Sequence, residues 1–145
     1  MVNGKYYWGI KSYANSKSKR LLNREFVTRP MKTLDLEGMI SVWAKDRIGS
    51  KQREYNRGIK PYEVHCTAEH LIKIFPRDMK CPVLGIKMRF GGNSDASVQL
   101  DRIDNNKDYI DGNVAWISGK ANRAKGNLNS DELYKIADWL KDKGF

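Results

Sequence analysis

The sequence predicts a small single domain of the α+β class. Three observations carry that prediction. Ser97–Lys125 reads as strand, loop, strand and helix: an alternating apolar segment ends at Asp101 and Asp104, a turn rich in Asn, Asp and Gly follows, and Val114–Ile117 leads into Asn122, Arg123 and Lys125. Amphipathic helical patterns lie before and after it, at Leu36–Trp43 and Leu128–Phe145. The chain has 145 residues and no internal repeat, enough for one modest core.

Taken in order, residues 1–32 carry Lys5, Lys11, Lys17, Lys19, Arg20, Arg24, Arg29 and Lys32, with Glu25 the only acid. Tyr6, Tyr7, Trp8, Tyr13 and Phe26 are interleaved with them, and Tyr6–Ile10 is expected to form a short strand. Leu36, Met39, Ile40 and Trp43 recur at i, i+3, i+4 and i+7, so a helix starts there with Asp35 or Thr33 as its cap. Gly49 weakens it and Gly58 can end it. Lys45, Arg47, Lys51, Arg53 and Arg57 give it a basic side, either a solvated face or one turned to a polyanion.

Pro61 opens a new segment, in which Tyr62–Cys66 suits a short strand. Thr67 caps a helix to about Phe75, with Leu71, Ile72 and Phe75 inward. His65 and His70 are the only histidines, and each reads first as structural. Cys81–Gly85 forms a tight knuckle, Ile86–Phe90 a strand, and Gly91–Asn93 a loop. In the tail, Asn129 and Glu132 fit a capping box, with Leu128 and Leu133 as its hydrophobic staple. Leu133, Ile136, Ala137 and Leu140 are expected to be buried as a core stripe.

Charge narrows the function classes. The net charge is +10, from 27 basic and 17 acidic residues. The excess sits in residues 1–60, with 14 Lys and Arg against 5 Asp and Glu; the remainder is nearly balanced. Such a coat points to a polyanion, most often nucleic acid, although solubility alone also accounts for it. No apolar stretch approaches a membrane span, and no signal peptide is read. Two cysteines are too few for a disulfide framework, so an intracellular, cytoplasmic setting is expected.

Phosphodiester hydrolysis needs an activated water, a Lewis acid and a neutralised leaving oxyanion. Asp101 and Asp104 can reach one site if the strand ends near Ile103, and Asn122 offers an amide oxygen to a hard cation. Arg102, Arg123 and Lys125 can hold phosphate oxygens. Each has a structural alternative: the aspartates as turn caps, Arg102 as an ion-pair partner, Asn113 as a backbone brace.

The segments LDRID, YIDGNV and ISGKANRAKG resemble the signature of phage-type HNH endonucleases, within the His-Me finger (ββα-metal) group. CPVLG upstream and NSDELYKIADWL at the end resemble that family's usual surroundings, so the likeness spans about residues 80–140; residues 1–60 match no named family. It implies a hairpin and helix gripping one divalent ion, Mg²⁺ or Mn²⁺. Asp101 would be the strand-end ligand, Asn122 the ligand from the helix, and Asn113 the loop brace. It also implies a phage-encoded chain acting in the infected cell.

One departure stands at the catalytic position. Arg102 occupies the place of the usual general-base histidine and cannot give up its proton. In another His-Me branch the base is the fourth residue of Asp-Arg-Gly-His; that alignment makes Asp104 the base or a further metal ligand. His65, His70 or water activated by metal alone are the other options. Zinc-bearing relatives brace the finger with two cysteine pairs. Here Cys81 stands alone, with Leu84, Ser118 and Ala121 in the other places, so no structural zinc is expected. Apolar packing by Val83, Leu84, Trp116 and Ile117 is expected to replace it.

The expectation is therefore a zinc-less HNH-like core at 61–145, behind a basic arm and helix at 1–60. Lys17, Lys19, Arg20, Arg47, Lys51 and Arg53 would contact DNA, with RNA left open and no membrane partner. Two alternatives stand beside it: a non-catalytic nucleic-acid-binding protein that keeps the finger as scaffold, and a binder of another protein's acidic surface.

Overall fold

The structure, a computed structural model, describes the strand Tyr6–Tyr7 and residues 33–145. Four helices and two antiparallel strand pairs lie among the described residues, an α+β fold. The chain divides into two compact units, residues 1–40 and residues 41–145, so that the boundary falls within the first long helix. No helix among the described residues is long and apolar enough to cross a membrane.

In the first unit, β1 (Tyr6–Tyr7) pairs antiparallel with β2 (Thr33–Leu34), Tyr6 opposite Leu34. The rest of the expected strand Tyr6–Ile10 lies outside the described residues, as do Lys17, Lys19 and Arg20. The helix α1 (Leu36–Asn56) starts here. Asp35 caps it, its Oδ1 accepting from the Gly38 amide at 2.8 Å. Met39 and Ile40 are buried, as the spacing predicts.

In the second unit α1 continues straight through Gly49, with Trp43 and Ala44 buried. Gly58, at φ +66°, closes the turn after its end by donating to the Tyr55 carbonyl at 2.8 Å. The unit is built on a hairpin, β3 (Val98–Arg102) against β4 (Val114–Ser118), with Leu100 opposite Trp116 and Arg102 opposite Val114. The helix α3 (Gly119–Lys125) follows β4 directly, and Ser118 Oγ caps it from the Ala121 amide at 3.2 Å. At Gly119 the chain runs so close to the Ser94 carbonyl that a methyl group has no room.

The core is an aromatic series that joins these elements. Trp43 meets Phe90 edge-on at 5.5 Å, Phe90 stacks on Phe75 at 5.5 Å, and Phe75 packs on Trp116 at 5.4 Å. The Trp116 indole also donates to the Leu71 carbonyl at 2.8 Å, which ties β4 to α2 (Ala68–Lys73). Thr67 caps α2, accepting from the His70 amide at 3.1 Å. Leu71 and Phe75 are buried, and Ile72 is half-buried.

Four expectations change. Tyr62–Cys66 and Ile86–Phe90 are not strands; each makes only isolated bridges, Val64 with Tyr109, Lys87 with Lys80 and Arg89 with Ser97. A strand needs one neighbour along its length, and here each neighbour pairs at a single residue. The helix after Thr67 stops at Lys73, two residues short of Phe75. Val83 and Leu84 are exposed, at 65% and 44%, and so do not join the apolar packing expected of them, whereas Trp116 and Ile117 are buried. The knuckle is instead held by hydrogen bonds: Gly85 donates to the Cys81 carbonyl at 2.8 Å, and Cys81 Sγ accepts from the Ser118 amide at 3.3 Å.

The fourth concerns α4 (Ser130–Asp142). Its capping box forms as read, Asn129 and Glu132 each accepting from the other's amide at 3.0 and 2.9 Å. The apolar stripe, however, is not core. Nothing in α4 is buried; Ile136, Trp139 and Leu140 are 47%, 59% and 39% exposed. Periodicity gives the apolar face of a helix but not the presence of a surface to cover it.

Candidate functional site

Strand alternation sets the first side chain. Val98, Leu100 and Arg102 turn inward from β3, so Gln99 and Asp101 lie on its other face. Asp101 lines an open groove of about 340 Å³, to which Gln99, Leu100 and Arg102 also contribute. Asn122 of α3 lines the same groove, so the hairpin and its helix bring those two residues to one place. α1 and the segment after it add Arg47, Lys51, Glu54, Lys60 and Tyr62 to the groove's lining.

Lys125 lies three residues beyond Asn122, on the same side of α3. Its ammonium reaches Asp101 Oδ2 at 3.1 Å and Oδ1 at 3.4 Å, the Arg102 carbonyl at 2.7 Å and Asn105 Oδ1 at 3.0 Å. Asn105 in turn donates to the Gly126 carbonyl at 3.0 Å, which fastens the loop to the end of α3. Four oxygens therefore converge at the end of β3 on one positive charge.

The loop between the strands is clamped from within. Asn113, 5% exposed, accepts from the Asp104 amide at 2.8 Å. Its side-chain amide donates to the Asp104 and Asp108 carbonyls at 3.1 and 3.0 Å. Arg102 works from the other side. Its guanidinium donates to the Asn105 and Lys107 carbonyls, both at 2.9 Å, and lies 3.2 Å over the Tyr62 ring. It is 8% exposed, and these contacts occupy the group that sequence reasoning assigned to phosphate.

Other expected residues fall apart from this place. Asp104 lines a neighbouring groove with Ile103, Asn106 and Ser130. The Asn106 amide on its Oδ1 at 2.9 Å, joined by Lys107 at 3.4 Å, holds its carboxyl below the usual carboxylate range. A carboxylate held acidic in this way is poorly matched to general-base work near neutral pH. Arg123 is paired with Asp95 and does not line the groove. Arg53 is exposed outside it, while Arg47 and Lys51 line it.

Both histidines stand outside the groove. His65 pairs with Glu63 at 2.8 Å, and Glu63 also accepts from the Tyr55 hydroxyl at 2.9 Å. That hydrogen bond and the charge of Glu63 raise the Tyr55 phenol above its ordinary value. His70 lies 3.7 Å from Asp111.

Sequence reasoning missed Asn105, Glu54, Lys60, Tyr62 and Tyr109, all of which line the groove. Asn105 was visible as turn chemistry in Asp-Asn-Asn, and Lys60 belonged to the basic excess. Nothing in the sequence signals that Glu54 of α1 and Asp101 of β3 line the same groove.

Whether this groove suits a divalent ion is a question of donor chemistry. Among the described residues no three His, Cys, Asp or Glu side chains are grouped to hold a metal. The donors gathered by Lys125 are one carboxylate, one amide oxygen and one carbonyl, with Asn122 beside them in the groove. Hard, mostly neutral oxygens of this kind suit Mg²⁺ or Mn²⁺, which keeps several waters and takes one or two carboxylates. They do not suit zinc, and the two cysteines are buried and unbridged.

Fold and site together define a small α+β domain with an oxygen-lined, predominantly cationic groove. Compared with family models, curated proteins and solved structures, the chain matches none.

Proposed function

We propose that this chain is a metal-dependent endonuclease of the HNH type, built on a ββα-metal finger (β3, β4 and α3), with DNA as its substrate. The observation that carries the reading is that Asp101 and Asn122, from strand and helix, line one groove together with Arg47, Lys51 and Lys60. Asp101 and Asn122 would hold Mg²⁺ or Mn²⁺. The ion, when bound, supplies a Lewis acid for the phosphate and a more acidic water.

The chain's own residues do the rest. Arg47, Lys51 and Lys60 neutralise phosphate oxygens along the groove, and Lys125 offsets charge at the end of β3. Arg102 and Asn113 fix the loop, so that Asp101 and Asn105 keep their places. Asp104 lines a neighbouring groove and is held acidic, which argues against a general base there and leaves the role of a further metal ligand.

Incubation of supercoiled plasmid with Mg²⁺ or Mn²⁺, and separately with EDTA, tests the proposal. Metal-dependent nicking or linearisation that is lost in Asp101→Ala and Asn122→Ala is expected. A second reading is favoured by Arg102, which the resemblance places where the base should be and which is committed to Tyr62 and two carbonyls. In that reading the groove binds nucleic acid without cutting it. Gel retention with no cleavage under any metal decides for it.

A further inference from the structure

We propose that Lys125 is an internal counter-cation that occupies the oxygen cage at the end of β3 and must leave it before a divalent ion binds there. The inference rests on the nuclease reading only for the presence of a divalent site at Asp101.

The cage has the composition of a hard-cation site. Its oxygens are the two of the Asp101 carboxylate, the Arg102 carbonyl and the Asn105 amide oxygen, at 2.7 to 3.4 Å from Lys125 Nζ. An ammonium has only three protons to share among four acceptors. A divalent ion takes carboxylate, amide and carbonyl oxygens together, which is the chemistry offered here. Both charged side chains are largely shielded, Lys125 at 21% and Asp101 at 12% exposure, so an uncompensated carboxylate there is costly. Lys125 removes that cost while no ion is present.

The device is also reversible. Lys125 ends α3, and Gly126 turns the chain immediately after it. Its four-carbon stem lets the ammonium swing out by rotamer changes alone, without moving the helix. An ammonium displaced from the cage remains beside the groove, where an incoming phosphate attracts it. Metal and substrate therefore enter favourably together, each drawing Lys125 away from Asp101.

Two measurements on the full chain test this. Calorimetric titration with Mn²⁺ compares the wild type, Lys125→Met and Asp101→Asn. Lys125→Met is expected to bind on the order of tenfold more tightly than wild type, and Asp101→Asn to lose binding. Equal or weaker binding by Lys125→Met, with binding still lost in Asp101→Asn, overturns the competition while leaving the metal site standing. Absence of Mn²⁺ binding in wild type and Lys125→Met alike overturns both this inference and the metal reading.

The second measurement needs no variant. The Nζ resonance of Lys125 in uniformly ¹⁵N-labelled protein reports the cage directly. Saturating Mg²⁺ is expected to move it to the position of a solvated lysine. A resonance that stays put while the Asp101 and Asn122 signals respond to Mg²⁺ overturns the inference.

Discussion

Replacing Asn113 tests whether the loop between the strands owes its shape to one side chain. Asn113→Ala removes three hydrogen bonds at a site 5% exposed: the Asp104 amide loses its acceptor, and the Asp104 and Asp108 carbonyls lose their donor. The backbone bonds of residue 113, from the Ile103 amide at 2.9 Å and to the Ile110 carbonyl at 3.0 Å, survive in the variant. At roughly 1 kcal/mol net for each bond lost, the cost is about 2–4 kcal/mol, the lower end applying if water enters the gap. In a chain of this size that lowers Tm by about 5–15 °C. Asn113→Asp keeps the acceptor but sets a carboxylate against two carbonyls, so at pH 7 it is expected to be at least as destabilised as Asn113→Ala. Acid protonates the new carboxyl and restores one donor, so its deficit shrinks as pH falls. Urea unfolding followed by the fluorescence of buried Trp116 measures all three proteins. An Asn113→Ala variant within about 0.5 kcal/mol of wild type, the range of an indifferent surface change, refutes the clamp. So does an Asn113→Asp variant that outlasts Asn113→Ala at neutral pH.

Further outcomes follow from the same geometry. Gly119→Ala drives a methyl group into the Ser94 carbonyl and is expected to cost about 1–3 kcal/mol in urea unfolding, since backbone rather than a flexible side chain must yield. Ile136→Gln and Leu140→Gln, on the uncovered face of α4, are expected to cost under about 0.5 kcal/mol, whereas Leu71→Ala in the core costs about 2–5 kcal/mol. Burial, reinforced by the charge of Asp111, pushes the Cys66 thiol up to about 11. An acid whose folded value is raised favours the native state below the ordinary thiol value, and that contribution is lost as pH climbs towards about 11. The urea midpoint is therefore expected to fall between pH 9 and 11, and to fall less in Cys66→Ala. Nucleic-acid retention, if the groove binds phosphates, weakens as salt rises, and Arg47→Ala with Lys51→Ala flattens that dependence.

Local rules were readable wherever a residue's neighbours in sequence are also its partners. The capping box of Asn129 and Glu132, the Thr67 cap, the alternation of β3 and the buried spacing from Met39 to Trp43 all depend on residues a turn or less apart. The stripe of α4 misled because burial needs a second surface, which no periodicity contains. YEVHC and Ile86–Phe90 misled because β composition does not supply a partner strand. Among site residues, the strand-and-helix placement of Asp101 and Asn122 was legible from spacing, and both reach one groove. The turn-cap alternative for Asp104 was legible too, and the Asn106 amide meets it. The surroundings of Arg102 were not, because the Tyr62 ring that it lies over is far away in sequence. Glu54 and Lys60 likewise join the groove from a distant part of the chain.

The series of rings from Trp43 to Trp116 has a mechanical consequence for the groove. Arg47 lies 4.6 Å over the Trp43 ring, and Trp116 sits opposite Leu100 in the strand pair that carries Asp101. Groove residues from α1 and from β3 are thus joined through one continuous set of ring contacts, edge-on, stacked and tilted in turn. Removing a ring from its middle, at Phe75 or Phe90, takes away support from both at once.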